Sequence, residues 1–474
     1  MAKRSLLGAA LGAAFGASAA QAGGWEFGAS LAGRLTWTDN LRLVAEGGES
    51  AGVLEVAPAF RARRAGRRLQ VRADYRLQQF LYTEGLGAAA TWHQFQGSAK
   101  AELVRQTVYL DATAGYGQVL ADPDGTVPVG NLSLTANRTD AASLSVSPYA
   151  VFRLGDAATG RLRYGHRRVR TGVRGADSRI DEWSARLAGP PGGRRLGWGL
   201  GWIRSEQRFT GRPDFEREVA TADLSLRLTS SLSLVVSGGR EDNSYQRAAG
   251  TPAPEGGFWS AGLRWTPSRR TALELRRGER FFGGTAAVKA SFRTRRAVLD
   301  ASYAEDLATV QRLILDRQLF VLTDPFGNPV LAGGVPVVIE ISFPALTAEV
   351  FLRKRGTLAW SWRRGRSSYG LSLYDERREY QTTAETERVR GGNVSWTWRL
   401  ARRTTSTLAL AAQRRDRRGG AGMDDFRYAT WDLSRRIRPD LSGSLSLRRL
   451  VRDGSGGLRS YDQNVITLGV TATF

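Results

Sequence analysis

The chain has 474 residues but no cysteine, only two histidines and only four lysines. Without cysteine there is no disulfide, no thiol nucleophile and no thiolate ligand for zinc. His93 follows Trp92, His166 sits among arginines, and neither has carboxylates at metal-ligand spacing. Neither histidine stands beside the nucleophile or carboxylate that a hydrolase needs. We therefore expect a protein that is not an enzyme and that has no cofactor or metal.

Long apolar runs are also missing. After the first 22 residues no run approaches the roughly 20 apolar residues of a transmembrane helix, and no stretch keeps a helical period. From Trp25 onward, apolar and polar positions alternate instead. In the segment LQVRADYRLQQF, which begins at Leu69, apolar residues form one face and charged or amide residues the other. This period of two predicts an all-β protein.

The first residues have the features of a secretory signal peptide. Lys3 and Arg4 precede an apolar stretch at 6–20, and an Ala-Gln-Ala cleavage site ends at residue 22. An uncleaved anchor or a buried Ala-rich helix is the alternative. We expect residues 1–22 to be cleaved, so that 23–474 form the mature protein, exported to the bacterial outer membrane.

Connections between the alternating segments are of two kinds. Ten short turns occur along the chain, with one longer and more polar link between successive turns, as at 39–52, 120–140, 246–257 and 414–423. This order predicts about 22 strands, with a range of 20 to 24, and both termini at the short-turn side. Tight periplasmic turns and long outer loops are typical of outer-membrane barrels. We therefore predict a transmembrane antiparallel up-and-down β-barrel.

A large soluble sandwich or propeller is the competing architecture. Against it, tryptophans stand near strand ends on the apolar face, the opposite face is too polar for a dry core, and no blade-length repeat is present. These tryptophans are Trp360, Trp362, Trp396 and Trp398. Large energised receptors carry a plug domain before the barrel. Since the first strand begins near Trp25, we expect no plug domain here.

The charge balance points to an anionic partner. Basic residues exceed acidic ones by a formal charge of +24. Arginine is costly on the lipid face, about 2–4 kcal/mol at midplane, so alternation directs strand arginines into the lumen. The predicted pore-lining residues are Arg72, Arg76, Arg161, Arg163, Arg227, Arg276 and Arg448, with Asp74 and Glu274 among them. Two interpretations stay open: an anion-biased conduit, or arginines that pair with lumen carboxylates and simply line the wall.

One segment departs from the alternation. Residues 316–345 are long, apolar and rich in glycine and proline, and they include consecutive tight turns. The segment could fold back into the barrel and narrow it, or it could be an extended surface loop with a small hairpin. For the first alternative, the constriction candidates are Asp324, Pro325, Phe326, Gly327, Asn328 and Pro329.

The last strand runs to the carboxyl terminus in strict alternation. Its apolar row resembles the C-terminal signal that the barrel-assembly machinery reads, although an alanine stands third from the end, where an aromatic residue is more usual. The row consists of Ile466, Leu468, Val470, Ala472 and Phe474. This strand must also pair with the first one, near 25–37, because an open edge in lipid leaves backbone groups unpaired.

Several segments resemble the PEP-CTERM-system-associated outer-membrane β-barrel family, whose members sit with exopolysaccharide and exosortase loci. The matching stretches are LTWTDNLRLV (35–44), VLEVAPAF (53–60), LQVRADYRLQQFLY (69–82), NRTDAASLSVSPYAVFRLG (137–155) and VLTDPFGNPV (321–330). The resemblance implies a conduit for exopolysaccharide export and carries no catalytic residues.

The first functional hypothesis is therefore a non-enzymatic conduit for an exopolysaccharide, which the basic balance makes anionic. A structural or adhesive surface barrel, or an uptake porin or receptor without its own plug, is the alternative. The expected partners are the lipid bilayer, lipopolysaccharide, the barrel-assembly machinery, exopolysaccharide and periplasmic export components. Nucleic acid is not among them.

Overall fold

A computed structural model describes most of the chain. The described residues are 21–22, 24–83, 89–122, 125–128, 130–172, 177–190, 195–251, 253–309, 331–332, 335–336, 349–455 and 460–474. Among them, no helix is long and apolar enough to cross a membrane. Nearly all of the proposed signal peptide lies outside the described residues, so its cleavage stays a prediction. Gln21–Ala22 pairs with the start of the first long strand.

Long antiparallel strands make up the described chain. We number them β1 (Trp25–Thr38), β2 (Ala51–Ala65), β3 (Leu69–Tyr82), β4 (Ala90–Val104), β5 (Val108–Val119), β6 (Thr139–Leu154), β7 (Ala158–Thr171), β8 (Ser178–Ala188), β9 (Leu196–Phe209), β10 (Arg212–Arg227), β11 (Leu232–Ser244), β12 (Glu255–Ser268), β13 (Thr271–Arg280), β14 (Gly283–Arg293), β15 (Ala297–Thr309), β16 (Val350–Arg364), β17 (Ser367–Tyr380), β18 (Thr386–Ala401), β19 (Thr404–Asp416), β20 (Met423–Arg436), β21 (Leu441–Gly454) and β22 (Tyr461–Thr473). A 3-10 turn lies between β19 and β20, at Arg418–Gly420.

Each strand pairs with the next, and the last pairs with the first. The β1–β22 register runs from Ser30 opposite Thr473 to Thr38 opposite Val465. Beyond the strand, the Phe474 amide donates to the Ala29 carbonyl at 2.8 Å. Closure leaves no sheet edge in lipid, which is the condition for a strand structure to span a membrane. The predicted 22-strand antiparallel up-and-down barrel is confirmed.

The connections at the two ends of the barrel differ in length. All ten turns predicted to be short lie at one end, together with the start of β1 and the end of β22, and we take this as the periplasmic end. At the other, extracellular end the links are mostly long. The prediction that every outer link is long is wrong at two places, because Thr210–Gly211 and Phe281–Phe282 connect their strands with two residues. A positive φ at Gly211 and at Gly283 permits these tight hairpins.

Side chains alternate between an apolar outer wall and a polar lumen. Large exposed hydrophobic residues such as Leu468, Val470 and Trp398 fall on the outer face. Near the periplasmic turns, aromatic rings of neighbouring strands stack along this face, with ring centroids 5.2 Å apart for Trp362 and Tyr369 and 6.3 Å apart for Tyr369 and Trp396. Such a girdle marks the membrane interface. The outer wall is therefore the lipid-contacting surface.

Candidate functional site in the barrel lumen

Carboxylates in the lumen hold pairs of arginines on neighbouring strands. Glu55 Oε1 accepts hydrogen bonds from Arg34 Nη1 and Arg76 Nη2, both at 2.9 Å, and from Gln78 Nε2 at 2.8 Å. One buried carboxylate thus separates two guanidiniums that would otherwise repel each other. Here the charges of the lumen residues stabilise the barrel wall by joining neighbouring strands.

A second group lies on β10 to β13. The carboxylate of Glu274 accepts hydrogen bonds from Arg264 Nε and Arg276 Nε, each at 2.6 Å. Arg276 also donates to Ser237 Oγ at 2.9 Å, and this hydroxyl donates to Asp223 at 2.6 Å. The resulting chain of charge-assisted bonds crosses four strands and ties their lumen faces together.

Buried ion pairs also line the extracellular half of β16 to β19. Glu376 binds Arg378 and Arg355, and Glu387 binds Arg415 and the Tyr380 hydroxyl. Both carboxylates are nearly inaccessible to solvent. Removing one partner of such a pair leaves a buried charge without compensation, so this network rigidifies the wall.

The predicted pore-lining residues face the lumen but differ in their surroundings. Arg72 and Arg61 pair with Asp74 at 2.7 Å, and Arg76 and Arg276 belong to the groups described above. Arg163 pairs with Asp111. For these residues the geometry is that of wall pairing. Arg448 lies beside Tyr428 and Asp432 but, like Arg161 and Arg227, forms no ion pair with a described residue.

Arginines with no such partner gather at the periplasmic end of the lumen. They are exposed, and they lie within three residues of a short turn. None of them makes an ion pair or a side-chain hydrogen bond to a described residue. These arginines are Arg63, Arg153, Arg186, Arg227, Arg293, Arg399 and Arg436. Their charge is therefore available to an anion that enters the periplasmic mouth.

The most basic sector of this mouth lies on β6 to β8. Arg161 and Arg186 are direct cross-strand partners. Like charges directly opposite one another destabilise a sheet, and an anion between them removes the repulsion. The Arg161 guanidinium lies 5.4 Å from the centre of the Tyr149 ring, and Tyr149 stacks on Tyr109 at 5.0 Å. A cation–π contact holds a guanidinium in place without neutralising its charge.

Two outer loops fold inward and narrow the extracellular half of the lumen. Leu41 and Leu43 in loop 39–50 are almost fully buried. Leu41 packs on β2 and β3, whereas Leu43 packs with Val127 of loop 120–138. The wall residues that complete the second contact are Ala409, Ala411, Phe426, Tyr428, Leu450 and Tyr461. Their burial stabilises the inward position, because fully burying one such side chain contributes about 1.5–3 kcal/mol.

Polar contacts anchor the same loops. The Tyr461 hydroxyl accepts from the Val127 amide at 3.0 Å and donates to the Val127 carbonyl at 2.8 Å. Arg452, which is 1% exposed, pairs with Asp424 and donates to the Gly125 carbonyl. Gln463 Nε2 lies 2.8 Å from the Asn40 carbonyl and 3.1 Å from Ser133 Oγ. Strands β20 to β22 thus hold both loops by side chains that face the lumen.

Arg138 closes the base of loop 120–138. Its guanidinium donates to the carbonyls of Gly130 at 2.6 Å and Ser133 at 3.2 Å, and it lies 5.2 Å from the Trp92 ring centre. Burial lowers the pKa of Arg138 to about 10, and the nearby Tyr82 opposes this shift. The arginine therefore stays charged at neutral pH while it fills the carbonyl acceptors of the loop.

The inward position of these loops was not predicted from the sequence, because 39–52 and 120–140 were expected to be ordinary outer links. A signal was present in the two similar segments DNLRLV and GNLSLT, which place alternating leucines in otherwise polar links. Leu132 and Leu134 of the second segment pack beside Leu41. Leucines at such spacing in a loop indicate a surface that must be buried.

The predicted constriction residues 324–329 lie outside the described residues. Within the surrounding segment only a minimal hairpin is described, in which Leu331–Ala332 pairs with Val335–Pro336. Its Cα atoms come within 8 Å of β20. Whether this segment narrows the lumen thus stays a prediction.

Both histidines lie on the outer wall. His93 Nδ1 is 2.7 Å from the Tyr75 hydroxyl. His166 Nδ1 lies 2.8 Å from the carboxylate of Asp181 on the adjacent strand. Chain neighbours alternate between wall faces, so they did not predict the cross-strand partner.

The C-terminal row lies where alternation predicts. Ile466, Leu468 and Val470 are half exposed on the outer wall, and Ala472 continues the row. Their use as an assembly signal stays a prediction.

Solved structures with the same fold are outer-membrane receptors. The siderophore receptor PirA from Acinetobacter baumannii aligns with a TM-score of 0.53 and 8% identity, over 94% of this chain and 80% of that chain. A mutant of the ferric enterobactin receptor PfeA from Pseudomonas aeruginosa aligns with a TM-score of 0.51 and 11% identity, over 96% and 81%. The ferric-catecholate import receptor Fiu from E. coli K12, in its open form, gives 0.51 and 9%, over 94% and 81%.

No protein-family model matches the sequence, and no curated protein matches it. At these identities the likeness shows the fold alone. The chain is thus an outer-membrane-type β-barrel, with a lumen that is basic at the periplasmic mouth and narrowed by loops at the extracellular end.

Proposed function

We propose that this barrel conducts an acidic exopolysaccharide from the periplasm across the outer membrane. The observation that carries the proposal is the cross-strand pair of Arg161 and Arg186 in the lumen, which has no carboxylate partner among the described residues. A polymer with a carboxylate on successive sugars supplies the missing anions. Because each contact with a separate arginine is weak, such a polymer can bind in the lumen and still pass through it.

The distribution of paired and unpaired arginines supports one direction of transport. Unpaired arginines lie at the periplasmic mouth, whereas loops 39–50 and 120–138 narrow the other end. A polyanion would accumulate at the periplasmic mouth first, and it would reach the exterior only past these loops. The resemblance to the exopolysaccharide-associated barrel family agrees with this route. An uptake receptor or an adhesive barrel would have no need for free arginines on the periplasmic side.

Planar-bilayer recording of the double variant Arg161→Glu, Arg186→Glu tests the proposal. Two positive charges become negative, which changes the lumen charge by four units, and at about 10 Å in water each unit contributes about 0.4 kcal/mol to the energy of a monovalent ion. Screening at physiological salt reduces the sum to about 0.5 kcal/mol. This energy raises the barrier for an anion and lowers the barrier for a cation, so the anion-to-cation permeability ratio should fall about fivefold. The matched control is Arg388→Glu on the outer wall, where Asp375 pairs with the arginine.

Polygalacturonate, an acidic polysaccharide, is the transport probe, with neutral dextran of equal length beside it. Added at the periplasmic side, polygalacturonate should interrupt the current of the native protein and much less that of the double variant. Equal block by dextran, or block from the extracellular side only, would contradict export of an acidic polymer. A lumen that carries no current even with both loops deleted would favour an adhesive or structural barrel.

A further inference from the structure

The outer wall carries a basic patch that transport through the lumen does not use. Arg168 on β7 and Arg179 on β8 are direct cross-strand partners, and Arg170 follows two residues along the same face. They share this face with Leu162 and Trp183, which are both 53% exposed on the lipid-contacting wall. We name Arg168, Arg170 and Arg179 the outer basic triangle. It lies towards the extracellular ends of its strands, at the level of the outer-leaflet headgroups.

Asp181 is the carboxylate that contacts this patch, while Asp140 and the Arg208–Glu206 pair lie beside it on the same face. Asp181 accepts Arg179 Nε at 2.7 Å and the Tyr164 hydroxyl at 2.7 Å, and it lies 2.8 Å from His166 Nδ1. Arg168 and Arg170 are exposed and make no ion pair or side-chain hydrogen bond to a described residue. Elsewhere on this level of the wall, arginines alternate with acids, as in the pairs Arg388–Asp375, Arg390–Asp416 and Arg414–Asp425. The outer basic triangle thus carries a net positive charge, whereas in these other pairs at the same level of the wall the positive and negative charges cancel.

An apolar groove lies on the same face about midway along the strands, where its lining on β7 is four to six residues from Arg168. It has a volume of about 330 Å³, and its lining comes from β5 to β9. Outward side chains of the groove include Pro148, Ala150, Leu162, Tyr164, Trp183 and Trp202. The rings of Tyr164 and Trp183 are 4.4 Å apart. Tyr164 connects the two features, because its ring lines the groove while its hydroxyl binds Asp181.

A basic patch near the headgroup level and an apolar groove deeper in the membrane fit an amphiphile that carries a phosphate group. Arginine binds phosphate oxygens in a bidentate manner, and an anion between Arg168 and Arg179 removes the repulsion of directly opposed like charges. An acyl chain that descends from the same molecule would fill the groove below. We propose that this face of the barrel binds lipid A, the phosphorylated glycolipid of the outer leaflet, with a phosphate on the outer basic triangle and an acyl chain against Leu162, Tyr164 and Trp183.

The test measures binding of diphosphoryl lipid A to the full-length protein in detergent micelles by native mass spectrometry. The double variant Arg168→Gln, Arg179→Gln should lower the affinity about tenfold, since charge-assisted hydrogen bonds to the phosphate are lost. Ala150→Phe, which fills the groove, should lower the affinity for acylated lipid as well. The matched control, Arg388→Gln with Arg414→Gln, removes two outward charges elsewhere in the belt and should leave binding unchanged.

Folding of each variant is checked by the mobility difference between heated and unheated samples. An equal loss in the control variant would overturn the proposal, since the belt as a whole would then attract the lipid. Full displacement of lipid A by an equimolar amount of inorganic phosphate would show a plain anion site without a role for the groove. Equal affinity for phosphatidylglycerol would show that the patch does not select the glycolipid. Each of these results would refute a lipid A site.

Discussion

The hydroxyl of Tyr461 provides the sharpest test of the inward loops. It makes two hydrogen bonds to the backbone of Val127, one as acceptor and one as donor, and both residues are buried. In the variant Tyr461→Phe the ring still packs, but the amide and the carbonyl of Val127 lose their partner. The loop can recover these bonds only by moving into water. We therefore expect the variant to favour an outward position of loop 120–138.

The magnitude follows from the cost of unsatisfied groups. Each buried donor or acceptor left without a partner costs about 1–3 kcal/mol, so the two groups together cost about 2–6 kcal/mol. At about 1.4 kcal/mol for each factor of ten, the ratio of outward to inward loop rises about 30-fold to 20,000-fold. Arg452 still binds the Gly125 carbonyl, which keeps the expected effect near the lower value.

Hydrogen exchange at Leu134 reports this opening. The Leu134 amide donates to the Leu41 carbonyl at 3.0 Å and does not touch Tyr461, so its exchange rises only if the loops move as a unit. Single-channel conductance should rise in parallel. Tyr428→Phe is the matched control, because this buried lumen tyrosine packs in the same cluster but makes no side-chain hydrogen bond to a described residue of either loop. Faster exchange at Val127 together with unchanged exchange at Leu134 would refute a common latch for the two loops.

Three further predictions concern the wall and the loops. Val470→Arg on the lipid face should cost about 2–4 kcal/mol and reduce the heat-modifiable folded form, whereas Thr471→Arg on the lumen face should not. Glu55→Gln leaves two guanidiniums unneutralised and should destabilise the barrel by about 3–5 kcal/mol in urea unfolding, and an unchanged midpoint would exclude a bracing role. Leu43→Ala should cost about 2–5 kcal/mol of inward-loop stability and raise conductance, and unchanged conductance would show that this loop does not restrict the lumen.

Alternation in the sequence was sufficient to predict the wall of this protein. A period of two identifies a strand whose faces contact different media, and a one-residue slip would reverse every side chain, so the register of each strand is strongly specified. This is why the strand number, the short turns and the pairing of β1 with β22 could all be predicted. Link length was a weaker indicator, since a glycine with positive φ allowed a two-residue outer hairpin at Thr210–Gly211.

The partners of lumen residues could not be predicted in the same way. Alternation predicts that Arg76 and Arg161 both face the lumen, but it does not predict which side chains lie next to them on adjacent strands. Glu55, which neutralises Arg76, is 21 residues away in sequence, whereas Arg161 lies opposite another arginine. Strand register and barrel closure decide these neighbours, because they bring together residues from separate segments of the chain.

The sequence by itself determined that the protein is a basic, exported barrel with an apolar outside and a charged inside, because these properties depend on the order of residue types along single strands. The tertiary structure decided which charges remain free. It neutralised the lumen arginines of the mid-wall, left those of the periplasmic mouth without partners, and drew loops 39–50 and 120–138 inward onto β20 to β22. Charge compensation is a pairwise property of residues far apart in the chain, and only the closed sheet brings those residues within contact.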